Sequence, residues 1–158
     1  MKYKIFLDTT YLLPLFGVDI ELTKDDEKKL LTIIENFNPS INSLSLLEIK
    51  WKILHFSKKN KLLLERYHNV LQFVTLSGKF KIVHFYDFRI DHIATKLYEF
   101  HNDYIDCSIL AAALENADIL LTEDTKIKQL GQIIKERNFL SIVNKARFEI
   151  KSISELPL

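Results

Sequence analysis

The sequence predicts one α/β domain built on a mainly parallel sheet of four to five strands. Short apolar runs of strand length alternate with longer segments of helical periodicity. The clearest run, Ile119-Leu120-Leu121, is apolar at every position, as strands covered on both faces are. The 158 residues contain no internal repeat and no Pro/Gly/Ser-rich linker, so a single domain over residues 1–158 is expected.

Tyr3 to Asp8 reads as a central strand that stops at a carboxylate, the apolar start running back to Met1. Thr9 or Thr10 would cap a short helix through Leu15. Lys24 to Phe37 is a helix whose first turn carries Asp25, Asp26 and Glu27, where the helix dipole favours acids. Pro39 marks a turn, and Ser40-Ile41-Asn42 reads as a second strand. Ser43 or Ser45 opens a long helix through about Ser57. Asn60 to Thr75 is a helix with Leu63, Tyr67, Val70, Leu71 and Val74 on one face, ended by Ser77-Gly78. Lys81 to Phe85 is a third strand. Asp87 to His101 is a helix striped by Ile90, Ile93, Ala94 and Leu97. A helix from Asp103 or Tyr104 to Asn116 has small residues at Ala111, Ala112 and Ala113, which allow close packing on a sheet. Ile119 to Thr122 is a fourth strand, Thr125 to about Arg137 a helix, and Phe148 to Ile153 supplies an edge strand.

Composition excludes several classes. Gly17, Gly78 and Gly131 are the only glycines and are scattered, so no phosphate-cradling Gly-rich loop exists. Cys107 is the only cysteine, which rules out an intrachain disulfide and a zinc ribbon and suits the cytoplasm. No apolar stretch reaches the ~20 residues that span a bilayer, so no membrane is expected. Net charge is +1, but its distribution is uneven. Lys50, Lys52, Lys58, Lys59, Lys61 and Arg66 form one basic run, and Lys126, Lys128, Lys135, Arg137, Lys145 and Arg147 a second. Acids gather in 19–27, 87–106 and 115–124. Basic flanks about an acidic centre suit an enzyme acting on a polyanion, and solvated helix faces are the plainer account of any one run.

Four acids stand out. Asp8 ends a hydrophobic strand, a costly place for a charge unless it caps a helix, meets solvent or binds a cation. Asp106 sits in the first turn of an apolar helix, where it complements the dipole or is aimed into a cleft, and Asp103 shares its face. Asp124 follows a strand and can cap the next helix. Ser45-Leu46-Leu47-Glu48 has the form of a capping box, which competes with a catalytic role for Glu48. In parallel sheets the ligand site lies beyond the carboxyl ends of the strands. If the first and fourth strands are neighbours, Asp8 and Asp124 meet there.

These segments, in this order, resemble the PIN-domain family and in particular the VapC-like ribonuclease toxins of toxin–antitoxin pairs. Phe6-Leu7-Asp8-Thr9 is similar to the family's opening strand and its acid. Leu44 to Glu48 is similar to the helix that gives its glutamate. Asp106-Cys107-Ser108-Ile109-Leu110-Ala111-Ala112-Ala113 resembles its Asp-Ala-x-Ile-x-Ala-x-Ala helix, and Ile119 to Asp124 its Leu-Val-Thr-x-Asp strand end. The match runs from Lys4 to about Lys128. It departs where Lys126 and Ile127 replace an aromatic, and in a longer segment from Gln132 to Arg147. The resemblance implies a PIN-like three-layer α/β/α fold and endonucleolytic hydrolysis of RNA. It implies Asp8, Asp106 and Asp124 as metal ligands and Glu48 as a ligand or water-orienting base, with Asp103, Thr9 and Thr122 in the surrounding layer. A VapC-like protein would be a homodimer paired with an antitoxin.

Oxygen-only ligands fit Mg²⁺ or Mn²⁺ and disfavour zinc. Lys50, Trp51 and Lys52, directly after Glu48, are candidates to grip and stack RNA, with core or dimer packing the plainer role for Trp51. His101, the histidine nearest the acidic helix, reads first as a cation at the end of its helix, with a place in the site as the lesser alternative. Two other classes compete. A haloacid-dehalogenase-like phosphatase needs an aspartate two residues after Asp8, where Thr10 stands. A PIN-like module that binds RNA or protein with little cleavage would be indifferent to divalent metal.

Overall fold

The computed structural model describes residues 3–57 and 61–157, with the backbone only at residue 61. Met1 and Lys2 of the first expected strand, Asn60 of the expected fourth helix, and Lys58, Lys59 and the Lys61 side chain of the first basic run lie outside the described residues.

The strands are β1 (Ile5–Leu7), β2 (Ser40–Asn42), β3 (Lys81–Val83), β4 (Ile119–Leu121) and β5 (Glu149–Lys151). They form one sheet in the order β3-β2-β1-β4-β5, and every pairing is parallel. Register is set across the centre by Phe6 against Ser40 on one side and Leu120 on the other. The chain winds outward from β1 to β3, then returns across β1 to lay down β4 and β5. The reversal of winding therefore falls between β1 and β4.

The helices are α1 (Thr9–Leu12), α2 (Lys24–Phe37), α3 (Ser43–Ser57), α4 (Lys61–Leu76), α5 (Phe88–Tyr98), α6 (Tyr104–Asn116), α7 (Thr125–Glu136) and α8 (Phe139–Ile142), with a 3-10 turn at Leu13–Phe16 and another at Ile153–Glu155. Alternation along the strands divides them between two faces. Ile5, Leu7, Ile41, Ile119 and Leu121 pack with Leu12, Phe16, Ile33, Ile49 and Tyr67 from the helices α1 to α4 and the turn after α1. Phe6 and Leu120 point the other way, into Ile93, Leu97, Leu110, Ala113 and Leu130 from α5, α6 and α7. Two cores on one doubly covered sheet give the expected three layers. No helix among the described residues is long and apolar enough to cross a membrane.

The element boundaries differ from expectation where caps decide them. Asp8, not Thr9 or Thr10, caps α1 by accepting from the Thr9 N–H. The long helix begins at Ser43, so Ser45 lies inside it and cannot form a capping box with Glu48. Asn42 holds that start instead, its Oδ1 accepting from the Leu44 N–H at 2.9 Å. Helix α5 stops at Tyr98, three residues before His101. Asn138, in the left-handed region at φ 55°, follows the end of α7 and separates it from α8, a helix the sequence reading did not anticipate.

Gly17 closes the turn after α1 at φ 83°, a conformation that favours glycine. A Cβ there would stand 3.0 Å from the Arg66 side chain, which reaches over to the Pro14 and Leu15 carbonyls at 3.3 Å. Gly17→Ala is expected to cost about 1–2 kcal/mol, mostly backbone strain. Chemical denaturation would show it as a lower midpoint with an unchanged slope.

Candidate functional site

The site is built from the carboxyl ends of β1 and β4. The parallel ladder carries on past Leu7, with the Asp8 N–H donating to the Leu121 carbonyl at 3.0 Å. That bond fixes the Asp8 backbone beside Thr122. Asp8 is only 4% exposed, and its carboxylate is held from three sides. Oδ1 accepts from the Thr9 N–H at 2.6 Å, while Oδ2 accepts from the Thr10 hydroxyl at 3.1 Å and the Thr122 hydroxyl at 2.7 Å. Burial nevertheless pushes this carboxyl up from 3.8 to about 6, against the pull of those three bonds, and the charge of Glu48 raises it further. Burial thus disfavours the charged form of this carboxyl.

Thr122 joins Asp8 to Asp124. Its Oγ1 donates to Asp8 and accepts from the Asp124 N–H at 3.0 Å. Asp124 caps α7, its Oδ1 accepting from the Lys126 and Ile127 N–H groups at 2.7 and 3.3 Å. Its capping role is therefore present, and its charge acts on Asp106 at the start of α6. There Asp106 occupies the first turn, which Asp103 caps with bonds of 2.9 and 3.3 Å from the Ile105 and Asp106 N–H groups. Burial raises the Asp106 carboxyl above its ordinary value. A hydrogen bond with His101 opposes the rise, and the charges of Asp103 and Asp124 add to it.

Glu48 lies in the second turn of α3, where Lys52 pairs with it at 2.8 Å. The four acids stand as two electrostatically coupled pairs, Asp8 with Glu48 and Asp106 with Asp124, connected through Thr122. Among the described residues, no three His, Cys, Asp or Glu side chains draw together tightly enough to form a ready coordination shell. The Thr9 hydroxyl, buried beside Asp8, has no hydrogen-bond partner among the described residues.

Of the candidate RNA contacts, Trp51 is 58% exposed. The Lys50 ammonium lies 4.4 Å from the Tyr67 ring centroid, and Lys52 is engaged with Glu48. Three site residues were not read from the sequence in these roles. Thr10 donates to Asp8. His101 lies in the loop after α5 with Nε2 2.9 Å from Asp106 Oδ2, an acid partner rather than a helix-end cation. Asn42, fully buried, donates from Nδ2 to the Ser108 carbonyl at 3.1 Å and so locks the start of α3 to α6. Its signal was an Asn directly before a helix.

A further layer supports the loop that carries Asp124. The buried Tyr11 hydroxyl donates to the Glu123 carboxylate and accepts from the Ile153 N–H at 2.8 Å. Glu123 also accepts from Ser152 at 3.0 Å, and Lys128 reaches both.

Comparison with known proteins bears on this arrangement. No curated protein matches the chain. The fold is similar to the crystal structure of VapBC2 from Rickettsia felis bound to a DNA fragment from its promoter, with a TM-score of 0.58, 17% identity, and coverage of 94% of this chain and 97% of that one. The PIN-domain family model matches residues 5–133, from the first strand through most of α7. The chain therefore belongs to the PIN-domain family.

Proposed function

We propose that the protein is a divalent-metal-dependent endoribonuclease, using Mg²⁺ or Mn²⁺, and the toxin of a toxin–antitoxin pair. The observation that carries the reading is the crevice between β1 and β4, where the winding of the sheet reverses. Such switch points are where open α/β sheets bind ligands, and this one holds the buried Asp8 carboxylate.

The donor set fits the metal. It is all oxygen, and Mg²⁺ keeps several of its waters, so one or two carboxylates with substrate phosphate suffice. Two coupled pairs suit such a cation better than they suit a metal that needs a closed protein cage. Asp8, Asp106 and Asp124 would hold it, in part through its bound waters. Bound there, it would lower the pKa of a water and stabilise charge on the phosphate and the leaving oxygen. The chain supplies the rest. Thr9, Thr10 and Thr122 fix the Asp8 carboxylate before any ligand arrives. His101 holds Asp106 in one orientation, and Lys52 holds Glu48 near Asp8, where Glu48 can orient the attacking water.

A cytoplasmic homodimer with an antitoxin over the acidic crevice accompanies this reading. The likeness to a VapBC2 complex is its support, at the level of fold. The test is cleavage of a labelled single-stranded RNA. Chelation should stop it, Mn²⁺ or Mg²⁺ should restore it, and Asp106→Asn should reduce it on the order of 10²-fold or more with an unchanged circular dichroism spectrum. Cleavage that persists in chelator would overturn the metal dependence, and no cleavage with any divalent cation would replace the nuclease reading with the binding-module one.

A further inference from the structure

The loop between α5 and α6 and the first turn of α7 border an open surface pocket of about 500 Å³ lined by Phe100, His101, Asn102, Asp103 and Lys126. That lies within the ~300–1,000 Å³ of small-ligand sites. It adjoins the acids directly, because His101 bonds to Asp106 and Asp103 caps the helix that bears it. We propose that this pocket is a nucleotide subsite, which seats one unit of single-stranded RNA next to the bond to be cut. The proposal rests on the nuclease reading for the word "cut", but not for the binding.

The lining has the chemistry of a nucleotide in one small space. Phe100 is 40% exposed, and the Arg137 guanidinium lies 5.5 Å from its ring centroid, so an aromatic surface and a cation meet beside the pocket. Single-stranded nucleic acid is held by this combination, a ring for the base and cations along the backbone. Lys126 is exposed on the opposite wall, at the start of α7, where the helix dipole adds positive potential. Asn102 brings donors and an acceptor that suit a base edge or a 2′-hydroxyl. The one acid, Asp103, spends an oxygen on the N–H groups of its own helix. A protein segment would find only one apolar side chain there, which is why RNA is the occupant inferred. Of the trio after Glu48, Lys52 is already ion-paired with Glu48.

The experiment measures anisotropy of a fluorescent single-stranded RNA in EDTA, so that nothing is cut, at several salt concentrations. Lys126→Ala should weaken binding several-fold and reduce the slope of log K against log salt by about 0.7, the signature of one lost phosphate contact on a single strand. Phe100→Ala should weaken it about tenfold with the slope unchanged, and Phe100→Tyr should restore it. Wild-type affinity and slope in both alanine variants would overturn the subsite, as would a wild-type protein that fails to bind at low salt. Lys126 is a surface residue, so its slope decides the matter even if Phe100→Ala does not fold. A wild type that does not cut RNA, with variants that still lose binding as stated, would leave the subsite standing and remove the nuclease reading alone. A wild type that cuts, with variants that bind and cut equally well, would do the reverse.

Discussion

Asp8→Asn is expected to abolish RNA cleavage and, in the metal-free protein at pH 7.5, to make the fold more stable by about 1–3 kcal/mol. Burial holds the Asp8 carboxyl at about 6 in the folded chain against 3.8 for the free group. The raised value means that the ionised form is penalised by folding. Below about pH 4 the group is protonated in both states and the penalty is absent. It grows as pH rises from about 4 to 6, and above 6 it is complete, at about 3 kcal/mol for this difference. Asparagine never carries the charge. Its oxygen can still accept from the Thr9 N–H, and its amide can donate to the Thr10 and Thr122 hydroxyls that now donate to Asp8. Some hydrogen-bond strength is lost in the exchange, hence the range.

The measurement is thermal unfolding of both proteins in EDTA across pH 4 to 8. The two curves should meet near pH 4 and separate between 4 and 6. For a domain of this size a gap of 1–3 kcal/mol is a difference of roughly 2–12 °C. Divalent cation should then close the gap from the wild-type side, by about 2.7 kcal/mol at a hundred times its Kd, with little effect on the variant. Were Asp8→Asn less stable than wild type at pH 7.5, burial would not be penalising the Asp8 charge.

That one side chain is both cap and site candidate explains how the sequence could be read so far and no further. Asp8 ends an apolar strand, Asp124 stands three residues past another, and Asp106 opens an apolar helix, and an acid at such a junction can be recognised without a structure. Each also forms or joins a helix N-terminus in the fold, so the plainer role and the chemical one occupy the same place. The mainly parallel character of the sheet was legible because Ile119-Leu120-Leu121 is buried on both faces and carries no alternation. The supporting side chains were not. His101 meets Asp106 because α5 ends at Tyr98 rather than three residues later, and helix ends are settled by interactions of a kcal/mol or less. Glu48 was misjudged locally for the same reason. Asn42 takes the cap position three residues earlier than Ser45 would have, since its amide is also drawn to Ser108 on α6, a partner 66 positions away.

Long-range polar links of that kind lead to the second large effect, at Tyr11. Tyr11→Phe should destabilise the protein by about 2–4 kcal/mol while changing cleavage only several-fold. The hydroxyl is fully buried and has two jobs, donating to the Glu123 carboxylate and accepting from the Ile153 N–H. Phenylalanine fills the space but leaves a buried N–H without its acceptor, which costs about 1–3 kcal/mol, and removes a charge-assisted bond worth about 1.5–3 in a native fold. Overlap between the two keeps the total below their sum. The melting temperature should fall by roughly 4–15 °C. Hydrogen exchange should speed up most at Ile153 and its neighbours, because the tail loses its tie to the β4–α7 loop. Asp124 begins at the next residue, yet its own amide stays on Thr122 and its carboxylate on α7, so the acid should keep its place. A drop in activity as large as that of Asp106→Asn would mean instead that Tyr11 and Glu123 hold the reacting groups themselves, and that the polar layer beneath the crevice belongs to its chemistry.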